Sequence, residues 1–344
     1  MNLMGNEDSS KRALGQYFTE GNPFALPPFL HWLGSIPGLA KRTFIEPFAG
    51  SNGIVAKIRE AGIGNPWKAY DIDPPKRNEA PDVPIEKRDC LSSFPDCENG
   101  VILTNPPYLA RNSATRRGLP YPDCPYDDEY KQCLALMLKA CDWVAAIIPE
   151  SFLTSGLFLG RIASVIELPS KMFSDTSCPV CLALFCPTSV ASGDFLVYRL
   201  GDMVGLFGAM SDASSSVLSS TSDRPWRFND PDGTISILCV DGTKGDSIRF
   251  DVGQTVGRDE IKVSSRTRTR VSLDGLTDAE ALPLIAECNR RLAEYRKASE
   301  DVFMTSFKGV RSDGRYRRRL DFETARRILD ASLDAVRESF PCKQ

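Results

Sequence analysis

Val101-Ile102-Leu103-Thr104, followed at once by Asn105-Pro106-Pro107-Tyr108, constrains the fold of this chain more than any other stretch. Four apolar or β-favouring residues in a row suit a strand buried on both faces. Two prolines then end it, because proline donates nothing to a sheet ladder and keeps the preceding residue out of the helical region. The result is a stiff loop at the carboxyl end of a buried strand, the edge where open α/β sheets keep their chemistry. In that loop the Asn105 side-chain oxygen and the Pro106 carbonyl are two acceptors able to converge on one exocyclic amino group, with Tyr108 supplying a flat face beside them. A bare proline turn has the same tetrapeptide, so its meaning depends on what surrounds it.

What surrounds it is an alternation of short apolar runs and helical patterns. After a tail at Met1 to Arg12, a helix is predicted from about Pro27 to Leu33. Strands are predicted at Thr43 to Ile45, Lys68 to Ile72, Ile85 to Arg88, Val101 to Thr104, Trp143 to Ile148, Ile162 to Leu168 and Pro179 to Phe185. Helices are expected after Gly53 and over Asp127 to Ala140, where Asp127, Asp128 and Glu129 complement the N-terminal dipole. This pattern predicts an α/β fold: a doubly wound, mostly parallel, seven-stranded sheet over residues 13–189, with an antiparallel hairpin at one edge. After Pro187 the texture changes, and residues 190–344 are expected to form a smaller α+β region. There the serine-rich stretch Ser211 to Ser222 reads as a loop, Ile235 to Val240 and Ile248 to Val256 as strands, and Asp278 to Lys297 and Phe322 to Ser339 as helices.

Composition removes several chemistries. The chain has 344 residues with 42% apolar and 25% charged side chains, values of an ordinary globular protein. No stretch approaches the ~18 apolar residues of a membrane helix, and the N-terminus lacks the form of a signal peptide, so the expected location is the cytoplasm of a prokaryotic or phage-infected cell, with no membrane partner. His31 is the single histidine, which argues against Ser-His triads, Cys-His dyads and multi-histidine metal sites. Among eleven cysteines only Cys178 and Cys181 have a metal-like spacing, and no second pair matches it, so no metal is expected. Amides, carboxylates, backbone and a cofactor remain.

The strand ending at Ile45 runs into Glu46-Pro47-Phe48-Ala49-Gly50-Ser51-Asn52-Gly53, whose glycines let a ligand approach the backbone at the start of a helix. The next strand ends in Tyr70-Asp71-Ile72-Asp73, placing a carboxylate where ribose hydroxyls can donate to it; Asp73 itself suits a turn. A third strand ends in Arg88-Asp89-Cys90, offering Asp89 to an adenine amino group. The glycine pattern is not the dinucleotide Gly-x-Gly-x-x-Gly, which argues against NAD.

Together and in this order, these pieces resemble the gamma class of AdoMet-dependent N6-adenine DNA methyltransferases, over Leu14 to Pro187, roughly half the chain. The resemblance implies a class I, Rossmann-like methyltransferase fold and S-adenosyl-L-methionine (AdoMet) as cofactor, leaving S-adenosyl-L-homocysteine. Gly15-Gln16-Tyr17-Phe18-Thr19 is similar to the segment closing over the methionine end of AdoMet, which implicates Tyr17 and Thr19. Glu46, Pro47, Ala49 and Gly50 match the family's Glu-Pro-x-Ala-Gly loop, Asp71 with Ile72 its ribose-binding acid, and Asp89 its adenine-binding acid. Asn105, Pro106, Pro107 and Tyr108 match the catalytic loop, with Asn105 also near the cofactor. Phe173, in Leu168-Pro169-Ser170-Lys171-Met172-Phe173, matches the aromatic on the opposite face of a flipped base. Ser51-Asn52 departs from the usual small or acidic pair.

DNA is the partner this implies, with residues 190–344 as its target-recognition and docking region and a cognate restriction endonuclease acting separately. The net charge of −3 argues against non-specific coating of nucleic acid, but basic residues cluster locally. Lys308, Arg311, Arg315, Arg317, Arg318 and Arg319 stand against Asp313 alone, and Arg266, Arg268 and Arg270 alternate as phosphate contacts or a solvated edge strand do. Three rivals remain: the same loop acting on release-factor glutamine or ribosomal-RNA guanine, on cytosine N4, or a catalytically inactive nucleic-acid-binding subunit.

Overall fold

The apolar runs of the first half become the strands of one sheet. They are β1 (Thr43–Glu46), β2 (Trp67–Asp71), β3 (Ile85–Lys87), β4 (Gly100–Thr104), β5 (Val144–Pro149), β6 (Ile162–Glu167), β7 (Val180–Phe185), β8 (Leu196–Arg199) and β9 (Asp202–Leu206). These come from a computed structural model that describes residues 22–168, 178–189, 191, 193–262 and 264–339. The spatial order is β3-β2-β1-β4-β5-β7-β6-β8-β9. β3 through β5 are parallel, and β7 runs antiparallel between β5 and β6.

β4, β5 and β7 are buried at every position, as uninterrupted apolar strands covered on both faces must be. Gly100 opens β4 because nothing larger fits: a Cβ there would sit 2.6 Å from Ile45 Cδ1 and 3.0 Å from the Cys97 carbonyl. Helix α1 (Pro27–Gly34) starts on two prolines, which the first turn tolerates. The Trp32 indole at its far end donates to the Phe185 carbonyl at 3.2 Å. Helix α2 (Gly53–Glu60) follows β1, α3 (Arg111–Arg117) follows the proline loop, and α4 (Glu129–Ala140) leads to β5.

Three expectations need correction. The sheet has nine strands rather than seven, because β8 and β9 extend it past β6, so the hairpin of β6 and β7 is internal rather than at an edge. The chain accordingly divides into two compact units between Gly205 and Leu206, later than the change in composition suggested. Ser211 to Ser222 is not a loop throughout, for α5 (Phe207–Val217) covers its first part. The serines hide a helical stripe: Met210 and Ser214 are buried, Val217 packs on the core, and the Phe207 ring meets Phe303 edge-on at 5.0 Å.

The second unit is α+β. Strands β10 (Arg227–Phe228), β11 (Ile235–Leu238), β12 (Arg249–Val252) and β13 (Arg268–Ser272) form an antiparallel sheet ordered β10-β13-β11-β12. A two-stranded sheet joins β14 (Thr305–Val310) to β15 (Tyr316–Arg319). Helices α6 (Asp278–Ser299) and α7 (Phe322–Ser339) cover a core that includes Trp226, Ile237, Phe250, Leu292 and Leu329. Among the described residues no helix is long and apolar enough to cross a membrane.

Candidate active site

The strand order of the large sheet reverses between β1 and β4. At such a switch point the loops leaving the two carboxyl ends diverge and open a crevice. A cavity of about 300 Å³ lies there, lined by residues at or just past the ends of β1, β2, β3 and β4.

β1 delivers Glu46, which is 1% exposed. Its Oε1 accepts from the Phe48 amide at 3.1 Å and from the Thr104 hydroxyl at 2.5 Å, while its buried Oε2 has no partner among the described residues. Burial pushes this carboxyl up to about 8, so near neutrality it is largely protonated. The turn that follows is laced to β2: the Ala49 amide donates to the Tyr70 carbonyl and the Gly50 amide to Asp71 Oδ2, both at 2.8 Å. Gly50 has φ +50, and a Cβ there would meet nothing within 4 Å, so the backbone faces open space. Ala49 and Gly50 line the cavity, and Phe48 does too; Pro47 is buried behind them.

Asp71 is buried, its Oδ1 accepting from the Asp73 amide at 2.8 Å, so it braces the turn as well as lining the cavity. Ile72, 54% exposed, presents an apolar surface beside it. Asp89 lines the cavity, but its carboxylate serves its own turn, taking the Leu91 amide at 3.0 Å and the Ser92 hydroxyl at 2.8 Å. Ser51 donates to Glu79 at 2.9 Å, and both reach the wall.

β4 ends in the proline loop. Asn105 and Pro107 line the cavity, whereas Pro106 and Tyr108 are buried behind it. The Tyr108 hydroxyl bonds Asn105 Oδ1 and lies 2.6 Å from the Ile147 carbonyl, while its ring meets Tyr130 edge-on at 6.3 Å. Tyr108 is thus a brace for the Asn105 amide rather than the open stacking face expected of it. Glu129, expected only to complement a helix dipole, also lines the cavity, and burial followed by repulsion from Asp128 and Asp89 raises it to about 7. Asp128 is raised to about 6, chiefly by burial. Tyr17, Thr19 and Phe173 lie outside the described residues.

Glu46, Ala49, Gly50, Asp71, Ile72, Asp89, Asn105 and Pro107 therefore share one cavity. Phe48, Ser51, Glu79 and Glu129 were missed. Ser51 stood in a loop already singled out. Glu79 lies in the connection before β3, which carries no motif, and only the folded chain brings it to Ser51.

The basic runs of the second unit fare differently. Arg270 is buried, donating to the Val256 carbonyl at 2.7 Å and the Pro231 carbonyl at 2.8 Å. Arg318, 3% exposed, donates to the Ser306 hydroxyl at 2.8 Å. Arg317 donates to the Asp241 carbonyl at 2.6 Å and lies over Phe307. Arg311 pairs with Asp246 and with Asp313, and Arg268 with Glu260. Arg319 is half-buried, and its Nε is buried with no partner among the described residues. Only Arg266, Arg268, Lys308 and Arg315 of the expected contacts are exposed. Arg270 and Arg318 thus serve the fold, and the expectation that they meet phosphate is corrected.

No protein-family model matches the sequence. No curated protein matches it either. Among solved structures, a type I restriction-modification methyltransferase subunit from Streptococcus thermophilus is similar at 16% identity and a TM-score of 0.38, over 53% of this chain and 46% of that one. A modification subunit of a type I restriction enzyme, so described, from Vibrio vulnificus YJ016 aligns at 16% identity and a TM-score of 0.37, over 57% and 49%. A protein from Listeria monocytogenes described as a class I S-adenosylmethionine-dependent methyltransferase aligns at 10% identity and a TM-score of 0.38, over 54% and 67%. The chain spans less than half the length of the first two.

Proposed function

We propose that the protein transfers a methyl group from AdoMet to the exocyclic N6 of an adenine in DNA, the base being turned out of the duplex to reach the cavity. One observation carries this reading: the Asn105-Pro106-Pro107-Tyr108 loop and the acid-lined glycine turn open on the same cavity.

The wall chemistry supports a cationic ligand. Among the described residues six acidic side chains, those of Glu46, Asp71, Asp73, Glu79, Asp89 and Glu129, line it against Arg88 alone. A polyphosphate cofactor would be repelled, whereas AdoMet carries a sulfonium and an ammonium. Glu46 Oε2, buried without a partner among the described residues, fits that ammonium, and the open space beside the Gly50 backbone leaves room for the amino-acid end. Asp71 stands where ribose hydroxyls can donate, Ile72 offers apolar surface to a ring, and Asp89 lies further along the wall. When bound, AdoMet supplies an electrophilic methyl group on sulfur.

The remaining work falls to the chain. An adenine amino lone pair is delocalised into the ring and attacks poorly. Hydrogen bonds from that amino group to Asn105 and the Pro106 carbonyl draw it toward tetrahedral geometry and free the lone pair. Tyr108 holds the Asn105 amide for this purpose. Positioning and preorganised dipoles suffice, and no histidine is needed. A base within a duplex cannot reach such a loop and has to be extruded, at a cost of a few kcal/mol.

The internal pairing of the C-terminal arginines favours, as a second reading, the side-chain amide of a protein glutamine as acceptor. Incubation with labelled AdoMet and separate DNA, RNA and protein acceptors, followed by nucleoside analysis, separates the two. N6-methyladenine in DNA is expected, and label confined to RNA or protein sinks the DNA assignment. Asn105→Ala should lower kcat ~10²–10³-fold while leaving AdoMet affinity nearly unchanged by calorimetry.

A further inference from the structure

With Arg270, Arg311, Arg317 and Arg318 of the second unit occupied internally, cations close to the cavity gain weight as partners for the phosphates of a nucleic-acid substrate. An acid-lined cavity makes the need sharper, because its carboxylates repel the backbone flanking the base. Helix α3 begins at Arg111, just past the proline loop, and its first and last turns use arginine in opposite ways.

Arg111 turns inward. Its guanidinium donates to the Tyr126 carbonyl at 2.8 Å and to the Cys124 carbonyl, and lies over the Tyr121 ring at 4.6 Å. Its amide donates to the Asp127 carbonyl at 2.8 Å, and the Glu129 amide to the Leu109 carbonyl at 3.1 Å. The helix is therefore fixed to the loop it follows.

Arg116 and Arg117, in the last turn, are exposed. Arg116 donates only to neutral groups, the Asn112 carbonyl and the Ser113 hydroxyl, at 3.3 Å each, and neither arginine pairs with a carboxylate among the described residues. The nearby Asp127 is taken by Lys131 at 2.6 Å. Gly118, with φ +62, ends the helix, and the next residues, Leu119 and Pro120, line the cavity. Arg117 thus stands two residues from the wall, which the chain can span in no more than ~7 Å.

We propose that Arg116 and Arg117 clamp DNA phosphates at the rim of the cavity, holding the strand whose base enters it. This rests on the reading of the cavity as a DNA methyltransferase site. Arginine suits the role because its planar fork meets phosphate oxygens in pairs. Both side chains are exposed on a helix braced at its first turn, so their backbone positions are set before DNA binds.

The test uses the full chain carrying Arg116→Gln with Arg117→Gln, a fluorescently labelled duplex of random sequence, and anisotropy across a salt series. The slope of log affinity against log salt should flatten by up to ~1.8, at ~0.9 per lost contact. The KM for DNA should rise by a larger factor than kcat falls, and AdoMet affinity by calorimetry should hold. Arg116→Lys with Arg117→Lys, which keeps the charge, should recover most of the slope. A wild-type slope in the glutamine variant, alongside DNA methylation by the wild type, overturns the clamp and leaves the cavity's reading intact. A wild type that neither binds nor methylates duplex overturns both. A slope lost on RNA but not on duplex also overturns the proposal.

Discussion

The cavity of the first unit and the basic strand of the second treat charge in opposite ways. In the cavity, among the described residues, acidic side chains converge with one arginine between them, and Glu46 keeps a buried oxygen without a partner. Around β15, by contrast, cations meet anions: Arg296 bonds Asp241, Asp246 and Asp301, each at 2.8 to 3.0 Å, and Arg311 takes Asp246 and Asp313. Asp241 is fully buried beneath both arginines. A folded chain leaves a polar group unsatisfied where a ligand completes it, and satisfies it where only the fold has a use for it. Density of charge along the sequence says nothing about which case applies.

The largest effect that would sharpen this contrast is on the paired side. Arg296→Ala strips Asp241 of its main partner and leaves a buried anion, at a cost of ~3–5 kcal/mol. Urea unfolding should show that loss in the second unit; a variant as stable as the wild type would mean the network is ornamental.

The next effect is on the unpaired side. Glu46 ionises at about 8 when folded and near 4.5 when free. Between those values the folded chain holds a proton that the unfolded chain has lost, so ligand-free stability falls as pH rises through that window, by on the order of 4 kcal/mol. Asp128 and Glu129, also raised, lean the same way. Thermal melts of Glu46→Gln from pH 5 to 8 should therefore show a reduced but not flat slope. An unchanged slope would mean the carboxyl is already ionised in the empty cavity, and the contrast would break.

The smallest concerns Asp71, which belongs to both worlds, bracing Gly50 and Asp73 while facing the cavity. Asp71→Ala removes charge-assisted bonds worth roughly 1.5–3 kcal/mol each. Calorimetry should show AdoMet binding at least ~10-fold weaker; unchanged affinity would make Asp71 a purely structural brace.

Much of the fold was legible where pattern and burial coincide. The run Val101 to Thr104 is a buried strand, and Phe322 to Ser339 is the helix its apolar spacing predicts. The site was legible where residues cluster on strand ends, as Glu46, Asp71 and Asn105 do. Composition misled elsewhere: serines masked α5, whose inward residues recur at helical spacing. Arg318 misled because its neighbours were read as a charge run, although Tyr316, Arg318 and Leu320 alternate onto one face and all three are buried. Glu79 was beyond reach, since nothing local marks it.

Tyr108 has a single proton and two oxygens within reach, Asn105 Oδ1 and the Ile147 carbonyl. Under the proposed function, whichever it serves decides which end of the Asn105 amide turns toward the acceptor. With the phenol donating to Oδ1, the oxygen is held in place and its remaining lone pair can accept from a hydrogen-bearing nitrogen, whereas an exocyclic oxo oxygen finds no donor there. If the proton goes to Ile147 instead, the amide can rotate end for end, and the preference inverts. Selection between an amino base and an oxo base would, under that function, be set in this way by a hydroxyl that touches neither.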